Sequence, residues 1–238
     1  MSPYEILLLF PLFGIAMVYA SPRSSESAYR SPLIVSLLTF LGALTLIPPA
    51  MRNGGQFTSE VNRLWINSPG LQIRFHLGVD GLNLWLIVLT TFLVPIAIWM
   101  SRTMIKERHR SFFALLLLFE FGLIGVFSAL DLFVFYVFWE IALVPMYLMV
   151  GGWGARRTAT AVKFFVYTFL GSVAMLLGFI GLYLERHTFE FRGLVLLQQG
   201  KFQQAVEDLR RGHELGSRQS TWRYPSAEWL RNAREGGW

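Results

Sequence analysis

The stretch FYVFWEIALVPMYL, residues 135–148, decides how the chain is read. It is almost wholly apolar, yet Glu140 sits near its centre and Pro145 follows five residues later. In a soluble core helix, one such acid needs only a hydrogen-bonding partner. In a membrane helix it needs a function, because a carboxylate at the bilayer centre costs ~2.5–3.5 kcal/mol on insertion scales. Such residues face the bundle interior and mark a polar pathway.

The rest of the chain favours the membrane. Of its 238 residues, 54% are hydrophobic and 15% charged, with a mean hydropathy of +0.46. A soluble domain carries about 25% charged residues. The 21 Phe suit lipid-facing and interfacial surfaces. The net charge of +6 is spread between apolar runs rather than gathered on one stripe, so no nucleic-acid partner is expected. The absence of cysteine excludes a disulfide framework, thiolate-held iron–sulfur clusters and a Cys nucleophile in this chain. His76, His109, His187 and His213 have no metal-ligand spacing, and no metal is expected. The glycines of GGWGARR lack the strand–turn–helix setting of a phosphate loop and read as a turn.

Six apolar runs reach spanning length: residues 4–20, 32–48, 81–100, 111–130, 132–150 and 158–184. A hydrocarbon core of about 30 Å takes ~20 helical residues. The expected fold is therefore an all-α polytopic transmembrane bundle. The first run follows MSPYE, which has no basic region and contains Glu5, so it reads as a span rather than a signal peptide. Pro11 and Pro95 interrupt two runs, which neighbouring helices can tolerate. Connections 21–31, 101–110 and 151–157 carry eight Lys and Arg, against four on the opposite side. The positive-inside rule places those three connections in the cytoplasm and the N-terminus outside, in a multi-pass protein of the inner (plasma) membrane.

Glu120 lies ten residues before Leu130 and Glu140 ten after it. At ~1.5 Å per residue each acid is ~15 Å from the turn, so both are expected near the midplane. Two carboxylates at one depth would repel if both ionised, and one or both would hold a proton near neutrality. The plainer alternative is that a Ser, a Trp or a backbone group holds each acid. Pro145 removes the helix bond to the carbonyl of Ile141 and is expected to kink the span one turn from Glu140, either to admit a partner or simply to pack. Lys163, about six residues inside the sixth run, either snorkels to the interface or faces inward as a cationic partner above Glu140. Asp80 and Asp131 read as N-caps of the third and fifth spans.

Three segments carry a family resemblance: FHLGVDGLNLWLIVLT, GVFSALDLFVFYVFWEIALVPMYLMVGGWG and AVKFFVYTFLGSVAMLLG. Over about residues 1–188 the chain resembles the antiporter-like chain M (mitochondrial subunit 4) of NADH:quinone oxidoreductase, respiratory complex I. The resemblance implies a proton-translocating subunit with no redox centre of its own. NADH, FMN, iron–sulfur clusters and quinone would then sit on other subunits, and the partners would be other membrane subunits and lipid. Glu140 matches the family's glutamate on the fifth helix, Lys163 the lysine of the sixth-helix KFF motif, and Glu120 an acid that many members carry on the fourth. Members run to about fourteen helices with further lysines, so the resemblance implies a chain truncated after six, or a fusion near residue 188.

Residues 189–238 differ in character. GLVLLQQGKFQQAVEDLRRGHELGS reads as an amphipathic helical hairpin and resembles one tetratricopeptide repeat. Gly193, Ala205 and Leu209 fall at its packing positions, and Gly212 and Ser217 replace its usual Ala and Pro. With WRYPSAEWLRNARE it resembles the ends of repeat-bearing bacterial protein kinases, which implies a protein partner for the tail. The readings are therefore a complex I subunit, a membrane-anchored interaction module or inactive fusion fragment, and a subunit of a multisubunit cation/proton antiporter.

Overall fold

The computed structural model describes residues 3–20, 28–52, 59–68, 71–154, 157–186 and 189–191. The repeat-like tail, 192–238, lies outside the described residues, as does His187. The helices are α1 (Pro3–Ala20), α2 (Arg30–Thr45), a short continuation α3 (Ile47–Arg52), α4 (Asn83–Met104), α5 (His109–Ser128), α6 (Leu132–Trp153) and α7 (Arg157–Arg186). Six helical segments are long and apolar enough to cross a membrane, and the fold is the expected polytopic bundle.

Helices adjacent in sequence are mostly adjacent in space. α1 packs on α2 and α5, α4 on α2 and α5, α5 on α6, and α7 chiefly on α6. The interior is therefore graded. In the spanning part of α5, 56% of residues are buried, against 6% for α7. Exposed Leu86, Leu89, Phe92 and Leu93 on α4, and Val166, Tyr167, Leu170 and Leu177 on α7, form apolar outer walls suited to lipid or a neighbouring helix.

Glycine sets the closest approach, between α5 and α6. A Cβ on Gly122 would stand 2.9 Å from backbone atoms of Ala142, and one on Gly125 would enter the ring of Phe138. Small residues let membrane helices approach until their backbones touch, where dispersion rather than hydrophobicity drives association. Tyr147 and Phe165 close the α6–α7 seam toward the basic end, with ring centroids 4.9 Å apart. There Trp153 donates its indole N–H to the carbonyl of Glu107 (2.9 Å), tying the end of α6 to the α4–α5 connection.

The connection between the second and third spans is not an irregular loop. β1 (Ser59–Ser68) and β2 (Leu71–Val79) form an antiparallel hairpin, with Ser59 opposite Val79, Ser68 opposite Leu71, and a register shift between Leu64 and Ile66. The signal was present in IRFHLGV, where Ile73, Phe75, Leu77 and Val79 alternate with other residues. Ile73, Leu77 and Val79 are buried, and the last two join Tyr4, Leu84, Ile124 and Phe138 in the main core. Single bridges extend the ladder: Leu77 pairs with Ala129 in the α5–α6 turn, and Asp131 pairs with Glu190 beyond α7.

The expected cap at Asp131 is present, whereas the N-cap of α4 is Leu82 and Asp80 braces the turn before it. The Asp131 carboxylate accepts from the backbone N–H of Phe133 and Val134 at 2.9 and 3.1 Å. Asp80 Oδ1 accepts from the N–H of Leu82 and Asn83, and Asn83 Oδ1 accepts in return from the N–H of Asp80. This reciprocal pair makes residues 81–82 a turn and starts α4 at Asn83 rather than at Gly81.

Candidate polar site in the membrane

Glu140 lies midway along α6, half-buried, with its Oε1 enclosed and without a hydrogen-bond partner. One turn earlier, Tyr136 lies close enough to interact with the same carboxylate, and Ser172 of α7 lies close to the Tyr136 hydroxyl. Ser172 is 2% exposed and also donates to the carbonyl of Phe169. The acid thus sits in the α6–α7 seam with two hydroxyl groups beside it. Such a cluster can hold a proton on the carboxyl and relay one through hydroxyl oxygens.

Neither Tyr136 nor Ser172 was among the sequence candidates. Tyr136 could have been found, because a residue four before Glu140 lies on the same helix face. Ser172 could not be placed without knowing how α6 and α7 pair. Pro145 is buried in α6, and the helix continues through it from Leu132 to Trp153.

The two membrane carboxylates were expected as neighbours at one depth, and the structure separates them. Gly122 opposite Ala142 and Gly125 opposite Phe138 set the antiparallel register of α5 and α6. That register, continued beyond Gly122, puts Glu120 level with Leu143 and Val144, about one turn or ~5 Å along the axis from Glu140. Glu120 also points elsewhere. It shares a helical stripe with Phe113, Leu117, Ile124 and Ser128, all fully buried. Ser128 bonds Tyr4 of α1, and Leu117 packs against Gly14 of α1. Glu120 therefore faces the interior between α1 and α4, away from α6. It is fully buried, and neither carboxylate oxygen has a partner. Elsewhere in the interior, the buried hydroxyls of Thr39 on α2 and Thr91 on α4 each donate to a carbonyl of their own helix.

Lys163 is exposed on α7. Gly151 lies against Ala161, and Tyr147 against Phe165, so Lys163 is level with about Met149. Glu140 is roughly nine residues, ~14 Å, further along the seam. The structure does not bring Lys163 to Glu140. This lysine can reach the basic interface by snorkelling, the first of its two expected readings. Among the described residues no group of His, Cys, Asp and Glu is arranged to hold a metal.

Residues 129–209 match the family described as NADH:quinone oxidoreductase/Mrp antiporter, TM. That span takes in α6, α7 and the Glu140 cluster. The chain is 38% identical over 197 residues to the NADH-ubiquinone oxidoreductase chain 4 of Metridium senile, covering 81% of this chain and 40% of that protein. It is 38% identical over 196 residues to the NADH-quinone oxidoreductase subunit M of Rhodobacter capsulatus, covering 77% and 36%. Among solved structures, a chain of respiratory complex I from Thermus thermophilus superposes with a TM-score of 0.67 at 28% identity, covering 79% of this chain and 38% of that one. The chain thus spans about two fifths of the length of the curated relatives it matches.

Proposed function

We propose that this chain serves as an antiporter-like membrane subunit of the M/4 type in NADH:quinone oxidoreductase, and that it takes part in proton translocation coupled to quinone reduction. One observation carries the reading. The stretch matched to the antiporter-like family contains a membrane carboxylate with an unpartnered oxygen and two hydroxyl groups beside it. A carboxylate in a spanning helix with no counter-charge beside it marks a polar pathway rather than a structural ion pair. Glu140 is the proton-handling group, Tyr136 and Ser172 position it, and Glu120 and Lys163 act as separate polar stations. Electron transfer belongs to partner subunits that carry NADH, flavin, iron–sulfur clusters and quinone. The residues after Phe191 would add a partner contact if their repeat-like hairpin folds.

Glu140→Gln in the native complex tests the proposal, with quinone reduction and proton pumping measured separately. The expected result is an assembled complex in which pumping collapses. Full pumping by an assembled Glu140→Gln complex would overturn the assignment. A second reading follows from the family description, which names cation/proton antiporters beside the oxidoreductase. Sodium/proton exchange by the purified complex without NADH or quinone would favour it.

A further inference from the structure

The end of the bundle that carries the hairpin holds an ionisable cluster separate from the Glu140 site. His76 of β2 is 4% exposed. Its Nε2 lies 2.7 Å from Glu60 Oε1 on β1, and its Nδ1 lies 3.2 Å from Glu190 Oε1 beyond α7. The second contact has ion-pair distance but lies off the line of a good hydrogen bond. Asp131, in the α5–α6 turn, is near enough to interact electrostatically with both His76 and Glu190.

Both ring nitrogens of a buried imidazole thus face carboxylates. A neutral imidazole has one N–H, and its other nitrogen is an acceptor. One of the two contacts would then set lone pair against lone pair. Only the imidazolium offers hydrogen to both. Among the described residues, Arg74, two residues along β2, donates to Asn62 at 2.9 Å, and Arg63 is held by Glu5 at 2.7 Å. Around His76 stand three carboxylates from three elements.

The same residues join the backbone. Leu130 donates its N–H to the carbonyl of His76, Leu132 to that of Phe189, and Phe191 to that of Leu130, each at 2.9 Å. Hairpin, helix turn and the end of α7 therefore meet where His76 sits. We propose that His76, Glu60 and Glu190 form a proton-binding site on the hairpin end of the bundle, and that proton uptake there fastens the end of α7 to the hairpin and to the α5–α6 turn. The site stands whether or not Glu140 moves protons.

The direction of titration agrees with the geometry. Burial pulls the His76 imidazole down, but Glu190 and Glu60 together outweigh it and leave the group above its ordinary 6.5. A raised histidine stabilises the folded form fully below its unfolded value, and that stability is lost as pH rises through the folded value. The junction is tightest below the ordinary histidine value and loosens as pH rises above it.

Two measurements on the full chain in nanodiscs test this: NMR titration of the His76 ring, and amide exchange at Leu132 and Phe191 corrected for intrinsic rates. The ring should titrate above free histidine, and protection of both amides should fall through the same midpoint. The fall should be about tenfold for each unit of upward displacement. Glu190→Gln should lower the midpoint and flatten the protection profile. A ring that titrates at or below free histidine, or protection that ignores pH in the wild-type chain, would overturn the proposal. The wild-type measurements decide the matter even if the variant does not fold.

Discussion

Asp131 carries two opposed effects in one side chain. As the N-cap of α6 it accepts two backbone N–H groups, which favour the carboxylate. Burial opposes them and dominates, raising the group from 3.8 to about 6, with the nearby Glu190 charge adding to the rise and His76 reducing it. An acid with a raised folded value binds its proton more tightly folded than unfolded, so its contribution to stability declines as pH rises from about 4 to about 6. Asp131→Asn keeps an oxygen acceptor and removes the titration. Thermal unfolding in nanodiscs should show the wild type losing ground to this variant between those pH values, with a constant difference above them. Parallel profiles would contradict the burial argument. Asp131→Ala removes the acceptor and should cost about 1 kcal/mol across the range.

At the scale of elements, the α5–α6 interface shows what small residues permit. Gly122→Ala places a methyl against the backbone of Ala142, where no rotamer change relieves the overlap. A loss of about 1–3 kcal/mol is expected, read by unfolding in bicelles. Gly171→Ala on α7 is the control, because nothing stands within 4 Å of its Cβ position. It should match wild type or gain a few tenths from better helix propensity. Equal losses at both glycines would refute the packing account. The sequence announced each spanning helix by length and hydropathy, and the cap of α6 by its aspartate. It did not disclose the helix pairing, because Gly122 and Gly125 look like any glycine until Ala142 and Phe138 are known to oppose them. For that reason Glu120 was legible as a membrane acid while its direction was not. The ten-residue spacing on either side of Leu130 suggested a carboxylate pair that the actual register and helix faces undo. The hairpin was legible from β2, whose alternation is clean, and less so from β1.

For the whole molecule, charge asymmetry supplies an orientation that the bundle allows to be tested directly. The chain has no cysteine, so single cysteines can be introduced without removing native ones. Leu82 and Met104, at opposite ends of α4, are 79% and 75% exposed. In intact cells a membrane-impermeant maleimide should label Leu82→Cys, on the hairpin side, and spare Met104→Cys until the membrane is opened. The reverse pattern would invert the topology and place the hairpin in the cytoplasm.

Residues 129–131 are the whole connection between α5 and α6, and they contain neither Lys nor Arg. No length is available for α5 to settle alone while a polar loop waits on the far side. During synthesis the two helices must leave the translocon as one antiparallel hairpin, with Gly122 and Gly125 of α5 already against Ala142 and Phe138 of α6. Glu120 and Glu140 then enter the membrane in one event rather than singly. Force measurements on stalled nascent chains should give one merged insertion peak for α5 and α6. Lengthening the turn with a flexible polar linker should split it in two.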